Sequence, residues 1–275
     1  MTSFDGQTIL ITGAATGIGR ATARKLADLG ARLVIVDLDG EGAVAAAASL
    51  PGDARGYRCD VRSDADVDAL RAVVLAECGG VDVLVNNAAK PPVTGPIADT
   101  DIEVWRDALD VNVLGYVRMI RAFLPHMVAR GTGRIVNTAS GLALLPDPPT
   151  RFMGPYIASK GAQLAMSYAF AHALEDTGVT LSVFCPGLTA TSDRPGGPPP
   201  AGVGAPTLDD FRRGVPARRA RPATADHAAQ TFVDGLLSGE FLTCSQEGYH
   251  SDLVDFASAN LDPYSIVRQA QAEAA

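Results

Sequence analysis

Thr12–Gly19, TGAATGIG, decides how the rest of the chain is read. It follows TILI (8–11), an apolar run without a charge that suits a buried strand. It precedes RATARKLADLG (20–30), which carries Ala21, Leu26 and Leu29 at helical spacing and stops on Gly30. A strand, a glycine turn and a helix start together make a cradle for phosphate. Glycines let the backbone come close, and the first N–H groups of the helix point outward with the positive end of its dipole. Gly13, Gly17 and Gly19 are spaced G-x3-G-x-G, unlike the G-x-G-x-x-G of the usual dinucleotide fingerprint. By itself the turn fits a tight ligand-free loop equally well, so the remaining chain has to decide.

Outward from the turn, strand and helix signals alternate. ARLVIVD, ending in Asp37, is a continuous apolar run suited to a parallel strand covered on both faces. EGAVAAAASL reads as a helix closed by Pro51-Gly52, RGYRCDV as a third strand, and DADVDALRAVVLAECGG as a helix burying Val67, Leu70, Val73 and Val74. VDVLVNNAA is a fourth strand. The loop KPPVTGPIADT leads into a long helix from about Asp101 to Arg130, in which Pro125 predicts a kink or a break. RIVNTAS is the fifth strand, and LLPDPPTRFMGP is a loop. A helix follows from near Tyr156, with Ala158, Ala162, Ala165, Ala169 and Ala173 in a row suited to a subunit interface or to internal helix packing. VTLSVFCPG is the sixth strand, Asp226–Ser238 a helix and EFLTCS a last strand. This alternation predicts an α/β fold, a doubly wound seven-stranded parallel sheet with helices on both faces, built as a single domain over 1–275. The Gly/Pro-rich stretch within about 188–216 reads as a substrate loop rather than a linker. The tail at about 245–275 is atypical, with room for a short helix that the sequence does not place.

Composition narrows the partners. A net charge of −8 lacks the basic footprint that nucleic acid or an anionic membrane requires. The basic cluster Arg212–Arg221 reads as a solvated segment or an attractor of anions. Cys59, Cys78, Cys185 and Cys244 are far apart and form no C-x-x-C pair, so neither a metal site nor a disulfide framework is expected. With no leader-like N-terminus and no membrane-length apolar run, a reduced cytoplasmic protein is the expectation.

In open parallel sheets, ligands bind beyond the carboxyl ends of the strands. That rule gathers Gly13–Gly19, Asp37, Asp60, Asn86–Ala89, Ser140 and Pro186–Thr191 at one rim. Asp37 lies where a carboxylate meets an adenosine ribose and repels a 2′-phosphate, and Leu38 brings no compensating cation, so NAD is favoured over NADP. Tyr156 and Lys160 share one helix face. A neighbouring ammonium and a nicotinamide cation would both bring the phenol into working range as a base. Asn112, amid an apolar helix, calls for a buried polar partner or a water relay.

TGAATGIG, Asp37, Asp60-Val61, NNAA, Asn112, Ser140, YIASK and PGLTAT, in this order over about residues 5–191, resemble the short-chain dehydrogenase/reductase family. The resemblance implies a Rossmann-like NAD(H) or NADP(H) enzyme, usually a homodimer or homotetramer, acting on a secondary alcohol or ketone. Tyr156 resembles its catalytic base/acid, and Lys160 the group that lowers the tyrosine pKa and holds the nicotinamide ribose. Ser140 resembles the substrate-oxygen donor, and Asn112 the support of a water-linked relay to Lys160. The implied cofactor contacts are Gly13, Thr16, Gly17, Ile18 and Gly19 in the cradle, Asp37, Asp60 and Val61 toward the adenosine, Asn87, Ala88 and Ala89 along the cofactor, and Pro186, Gly187, Thr189 and Thr191 beside the nicotinamide, with Tyr156 and Lys160. Two other readings stay open: a nucleotide-binding protein without turnover, and an epimerase or dehydratase that retains NAD.

Two features depart from the family pattern. Ser140 and Tyr156 are sixteen positions apart rather than the usual thirteen. The added stretch, with Pro146, Pro148, Pro149 and Arg151, should reshape the substrate pocket, or else Thr138 replaces Ser140 as donor. The C-terminus also lacks the usual ending, which leaves the subunit interface open. Arg151, Arg194 and Lys90 are candidate receivers of a substrate carboxylate. Leu142, Leu144, Leu145, Phe152 and Met153 are expected to form an apolar wall.

Overall fold

The computed structural model describes residues 4–191, 215 and 219–274. Most of the expected substrate loop, 192–214, lies outside them. In chain order the elements are β1 (Thr8–Thr12), α1 (Gly17–Asp28), β2 (Arg32–Asp37), α2 (Gly40–Ala48), β3 (Ala54–Arg58), α3 (Asp64–Cys78) and β4 (Val83–Asn86). Then follow α4 (Ile102–Leu109), a π turn (Asp110–Leu114), α5 (Gly115–Arg130), β5 (Gly133–Thr138), α6 (Gly154–Ala173) and β6 (Val179–Cys185). The described chain closes with β7 (Thr189–Ala190), β8 (Ala223–Thr224), α7 (Ala225–Ser238), β9 (Leu242–Cys244), α8 (Tyr249–Ser258) and α9 (Pro263–Ala274).

Seven strands form one parallel sheet in the order β3-β2-β1-β4-β5-β6-β9, and β7 pairs with β8 beside it. This is the predicted doubly wound, Rossmann-like architecture. The chain reverses its direction of winding between β1 and β4, and a crevice opens there beyond their carboxyl ends.

Strand alternation explains the layering. Ile9, Ile11, Leu33 and Ile35 face α1, α2 and α7, where they meet Ala23, Leu26, Ala43 and Phe232. Leu10, Val34 and Val36 face the opposite way, against Val67 and Leu70 of α3, Met119, Ile120 and Phe123 of α5, and Leu164 of α6. Side chains leave a strand alternately to its two sides, so one apolar run supplies both cores.

The structure departs from or narrows the expectations in four places. α1 begins at Gly17, inside the cradle, rather than after its last glycine. The long helix continues through Pro125 to Arg130, and its interruption lies at the π turn instead. In α6 the alanine row does not pack inside the chain: Ala158, Ala165, Ala169 and Ala173 are exposed, and Ser159, Lys160, Gln163 and Ser167 face inward. The tail holds two helices, α8 and α9, whose Tyr249, Phe256 and Ile266 cluster with Leu145.

Candidate active site

The crevice is stitched together by one threonine and one asparagine. Thr12 Oγ1, at the end of β1, accepts the backbone N–H groups of Asn87 and Ala88 at 3.0 Å each. Asn87 Nδ2 donates back to the carbonyls of Thr12 (2.9 Å) and Gly13 (3.0 Å). The backbone here is so close that a Cβ on Gly13 would stand 2.7 Å from Ala88 Cα, and one on Gly19 2.5 Å from the Gly13 carbonyl oxygen. Gly13 and Gly17 also have φ near +64° and +61°, which side-chain-bearing residues rarely adopt. Asp37, at the end of β2, accepts the N–H of Ala15 at 3.0 Å and of Asp39 at 3.2 Å, so its carboxylate straps the glycine turn to the next strand.

From this turn a cavity of about 690 Å³ extends past the ends of β4, β5 and β6. Gly13, Thr16, Gly17, Ile18 and Gly19 line one end, and Asn87 and Ala89 line its length. Ser140, Tyr156, Lys160, Pro186, Gly187, Thr189 and Thr191 line the other parts of its wall. The cavity therefore brings most of the expected site residues together. Asp37, Asp60, Val61, Ala88 and Asn112 do not line it. Asp37 and Ala88 stand beside the turn through the bonds above. Asp60 is engaged by Arg62, whose guanidinium holds the carboxyl below its usual range. Val61 is buried against Gly115.

The chemistry-bearing end rests on α6. Lys160 is 1% exposed, and its Nζ donates to the Thr138 carbonyl at 2.9 Å. It lies 5.5 Å from the Tyr156 ring centre and 6.0 Å from that of Tyr116. Burial disfavours its charged form and lowers its pKa to about 7. Burial also pushes the Tyr156 phenol up, and the Ser140 side chain partly offsets that rise. The expected lowering of the tyrosine by its lysine is thus not the dominant influence in the protein alone. Ser140 holds the position beside the phenol. Thr138 offers its backbone carbonyl to Lys160 and to the Tyr116 hydroxyl (3.2 Å).

Asn112 sits in the π turn, fully buried. Its Oδ1 accepts the Lys90 N–H at 2.7 Å, and its Nδ2 donates to Ser159 Oγ at 2.8 Å. Its backbone carbonyl accepts from Gln163 Nε2. The asparagine therefore has the buried polar partners that its sequence context called for.

Several contributors were not anticipated. Asn86 and Asn137 are paired in register, with Asn86 Nδ2 donating to Asn137 Oδ1 at 2.9 Å and Asn137 Nδ2 to Ser167 Oγ at 2.9 Å. That chain fastens α6 to the sheet. Asp147, Arg219, Gln246 and Tyr249 line the cavity from the longer connection, the segment before β8 and the tail. Of the expected apolar wall, Leu142, Leu145 and Met153 line the cavity; Leu144 instead packs into the cores. Lys90 pairs with Asp107 at 2.9 Å, and Arg151 is exposed over the Phe152 ring. Neither lines the cavity, and Arg194 lies outside the described residues. Arg219, from the basic cluster expected to be solvated, is buried.

The residues present fit a nicotinamide dinucleotide. Thr16 precedes α1 without a side-chain cap to its first N–H groups, and no acidic side chain stands in that first turn, which suits a phosphate. The cavity volume is ordinary for a cofactor-sized ligand.

Comparison with known proteins agrees with this geometry. The short chain dehydrogenase family profile matches residues 7–195. A 2,5-dichloro-2,5-cyclohexadiene-1,4-diol dehydrogenase of Sphingobium indicum is 35% identical over 192 residues, covering 70% of this chain and 76% of that protein. A D-threitol dehydrogenase of Mycolicibacterium smegmatis is 38% identical over 68% of this chain and 72% of its own length. The crystal structure of a short chain dehydrogenase/reductase from Burkholderia phymatum in complex with NAD superposes with a TM-score of 0.79 at 29% identity, covering 96% of this chain and 98% of that one. With its glycine cradle and its Ser140, Tyr156 and Lys160 on one cavity, the chain belongs to the short-chain dehydrogenase/reductase family of oxidoreductases.

Proposed function

We propose that this protein is an NAD-dependent dehydrogenase that interconverts a secondary alcohol and a ketone. The observation that carries this reading is the meeting, on one cavity, of a phenol, a serine and a buried lysine with an uncapped helix start. When bound, the nicotinamide supplies the hydride acceptor or donor. The chain's own residues orient the substrate and handle its proton. Ser140 holds the substrate oxygen, and Tyr156 takes the hydroxyl proton in oxidation and returns it in reduction. Lys160 steadies the phenolate from the next turn of α6. Such catalysis depends on orientation and on a base whose pKa lies near the working pH.

NAD is preferred to NADP because the Asp37 carboxylate, fixed by the Ala15 and Asp39 N–H groups, would face a 2′-phosphate with like charge. The NAD complex of the Burkholderia phymatum relative supports the same choice. The whole chain, 1–275, acts as one unit, because α8 and α9 bury Tyr249, Phe256 and Ile266 against Leu145 at the cavity's edge. A homodimer or homotetramer is the expected assembly, with the exposed alanine row of α6 available as a contact face. Among the described residues no helix is long and apolar enough to cross a membrane. Four free cysteines suit a reducing cytoplasm.

The test follows NADH absorbance across a panel of secondary alcohols, with NAD and NADP compared, in wild type and Tyr156→Phe. Loss of about 10²–10⁴-fold in turnover with NADH binding retained is expected. Unchanged activity in the variant would overturn the assignment, and cofactor binding without turnover in wild type would leave a nucleotide-binding protein.

A further inference from the structure

Two tyrosine rings lie near the Lys160 ammonium, and only one of them belongs to the cavity. Its Nζ is over the Tyr156 ring at 5.5 Å and over the Tyr116 ring at 6.0 Å. Tyr156 lines the cavity. Tyr116 does not: it is 1% exposed, in the first turn of α5, immediately after the π turn. Lysine and Tyr116 nevertheless meet at a single atom. Thr138 ends β5, one position beyond the last pair with β4, and its carbonyl oxygen accepts Lys160 Nζ at 2.9 Å and the Tyr116 hydroxyl at 3.2 Å. Among the described residues that oxygen is the one hydrogen-bond acceptor of Nζ.

A carbonyl oxygen has two lone pairs and can serve both donors. Each donor still draws on the same electron density, and the phenol proton brings a partial positive charge close to the ammonium. The hydroxyl therefore weakens the hold on the lysine. The ring works the other way, because an aromatic face favours a cation within about 6 Å of its centre. Burial keeps the Tyr116 phenol well above its usual range, so it stays a neutral donor. Besides the two tyrosines, the titratable group facing Lys160 among the described residues is the Cys185 thiol at the end of β6. Burial raises that thiol to about 12, which leaves it uncharged near neutral pH.

We infer that Tyr116 is a positioning residue for Lys160: its hydroxyl shares the Thr138 carbonyl and its ring flanks the ammonium, so one side chain outside the cavity sets how firmly the charge beside Tyr156 is held. The consequence for catalysis rests on the alcohol–ketone reading above, whereas the lysine can be measured without it.

Tyr116→Phe keeps the ring and removes the hydroxyl; Tyr116→Leu removes both. The lysine is followed through the carbon-13 shift of its Cε in lysine-labelled protein, the resonance being assigned by its loss in Lys160→Met. The Phe variant is expected to raise the titration midpoint of Lys160 by about half a pH unit, and the Leu variant to fall about half a unit below the Phe variant. A merely structural role would instead leave the more disruptive Leu variant farther from wild type. The acid limb of kcat/KM for alcohol oxidation with NAD should move to lower pH in the Phe variant, roughly a threefold gain at a pH below the limb. Circular dichroism checks folding, and the Phe variant decides alone if the Leu variant does not fold. An unmoved or lowered lysine in Tyr116→Phe, a Leu variant farther from wild type than the Phe variant, or a lysine that shifts while the acid limb stays would each overturn the inference. If wild type oxidises no alcohol, the alcohol–ketone reading fails, and the lysine midpoints still decide the role of Tyr116.

Discussion

Gly19→Ala puts one methyl group where the structure has no room for it. The added Cβ would stand 2.5 Å from the Gly13 carbonyl oxygen, 2.6 Å from Asn87 Nδ2 and 3.0 Å from Ala14 Cα. Two of those atoms belong to backbone, so the least costly response is to move the Asn87 side chain. That movement breaks its bonds to the carbonyls of Thr12 and Gly13, each contributing about 1 kcal/mol. Residual crowding adds about 1–3 kcal/mol, and the better helix propensity of alanine returns about 1 kcal/mol. The net expectation is a loss of about 2–4 kcal/mol, or roughly 5–15 °C in Tm for a chain of this size. Thermal unfolding followed by near-ultraviolet circular dichroism measures it, with Gly161→Ala as the control. Gly161 lies in α6 with nothing within 4 Å of its would-be Cβ, so alanine there should stabilise by about 0.5–1 kcal/mol. Equal shifts in the two variants, or a Gly19→Ala protein as stable as wild type, would refute the packing argument.

Other expectations rest on charge and burial. Lys160 has a folded pKa of about 7 against an ordinary value near 10.5, so between these pH values the unfolded chain binds more protons. The stability of wild type relative to Lys160→Met should therefore be flat below pH 7 and rise from pH 7 toward 10; urea melts showing a fall over that window would contradict it. Asn112→Ala strands the Lys90 N–H and removes the donor to Ser159 Oγ, whose hydroxyl keeps its bond to the Tyr156 carbonyl, and should cost about 2–4 kcal/mol in chemical denaturation. Asp37→Ser removes the carboxylate that meets a 2′-phosphate, so the NAD/NADP ratio of kcat/KM should fall at least several-fold; a ratio that does not move argues that another group discriminates. Burial raises the pKa values of Cys59, Cys185 and Cys244 to about 12, so at pH 8 a disulfide reagent should titrate these thiols only on unfolding.

The sheet was legible because its strands are apolar runs punctuated by glycine, and that signal needs no partner to be read. The cradle and the Tyr156–Lys160 face were legible because strand ends and helical spacing fix positions locally. The buried ion cluster that Arg219 forms with Asp147 and Asp252 was not: the three are far apart in the chain, and each resembles an ordinary surface charge until the fold brings them together. The bond from Asn86 to Asn137 was missed for a similar reason, since it depends on the register between two strands. Of the two outcomes that Pro125 allows, a break does not occur, because Ile120, Phe123 and Met127 pack into the core on both sides of it.

The π turn at Asp110–Leu114 also bears on how this helix tolerates change. An extra residue in one turn sets α4 and α5 about a quarter-turn out of phase, given the roughly 100° that each residue sweeps. The same surplus swings Asn112 inward, where it can hold Lys90 and Ser159. Deleting a single residue there would restore a uniform ladder while rotating one half of the helix against its neighbours. Length along this stretch is consequently more tightly constrained than residue identity, and a deletion should do more harm than most substitutions.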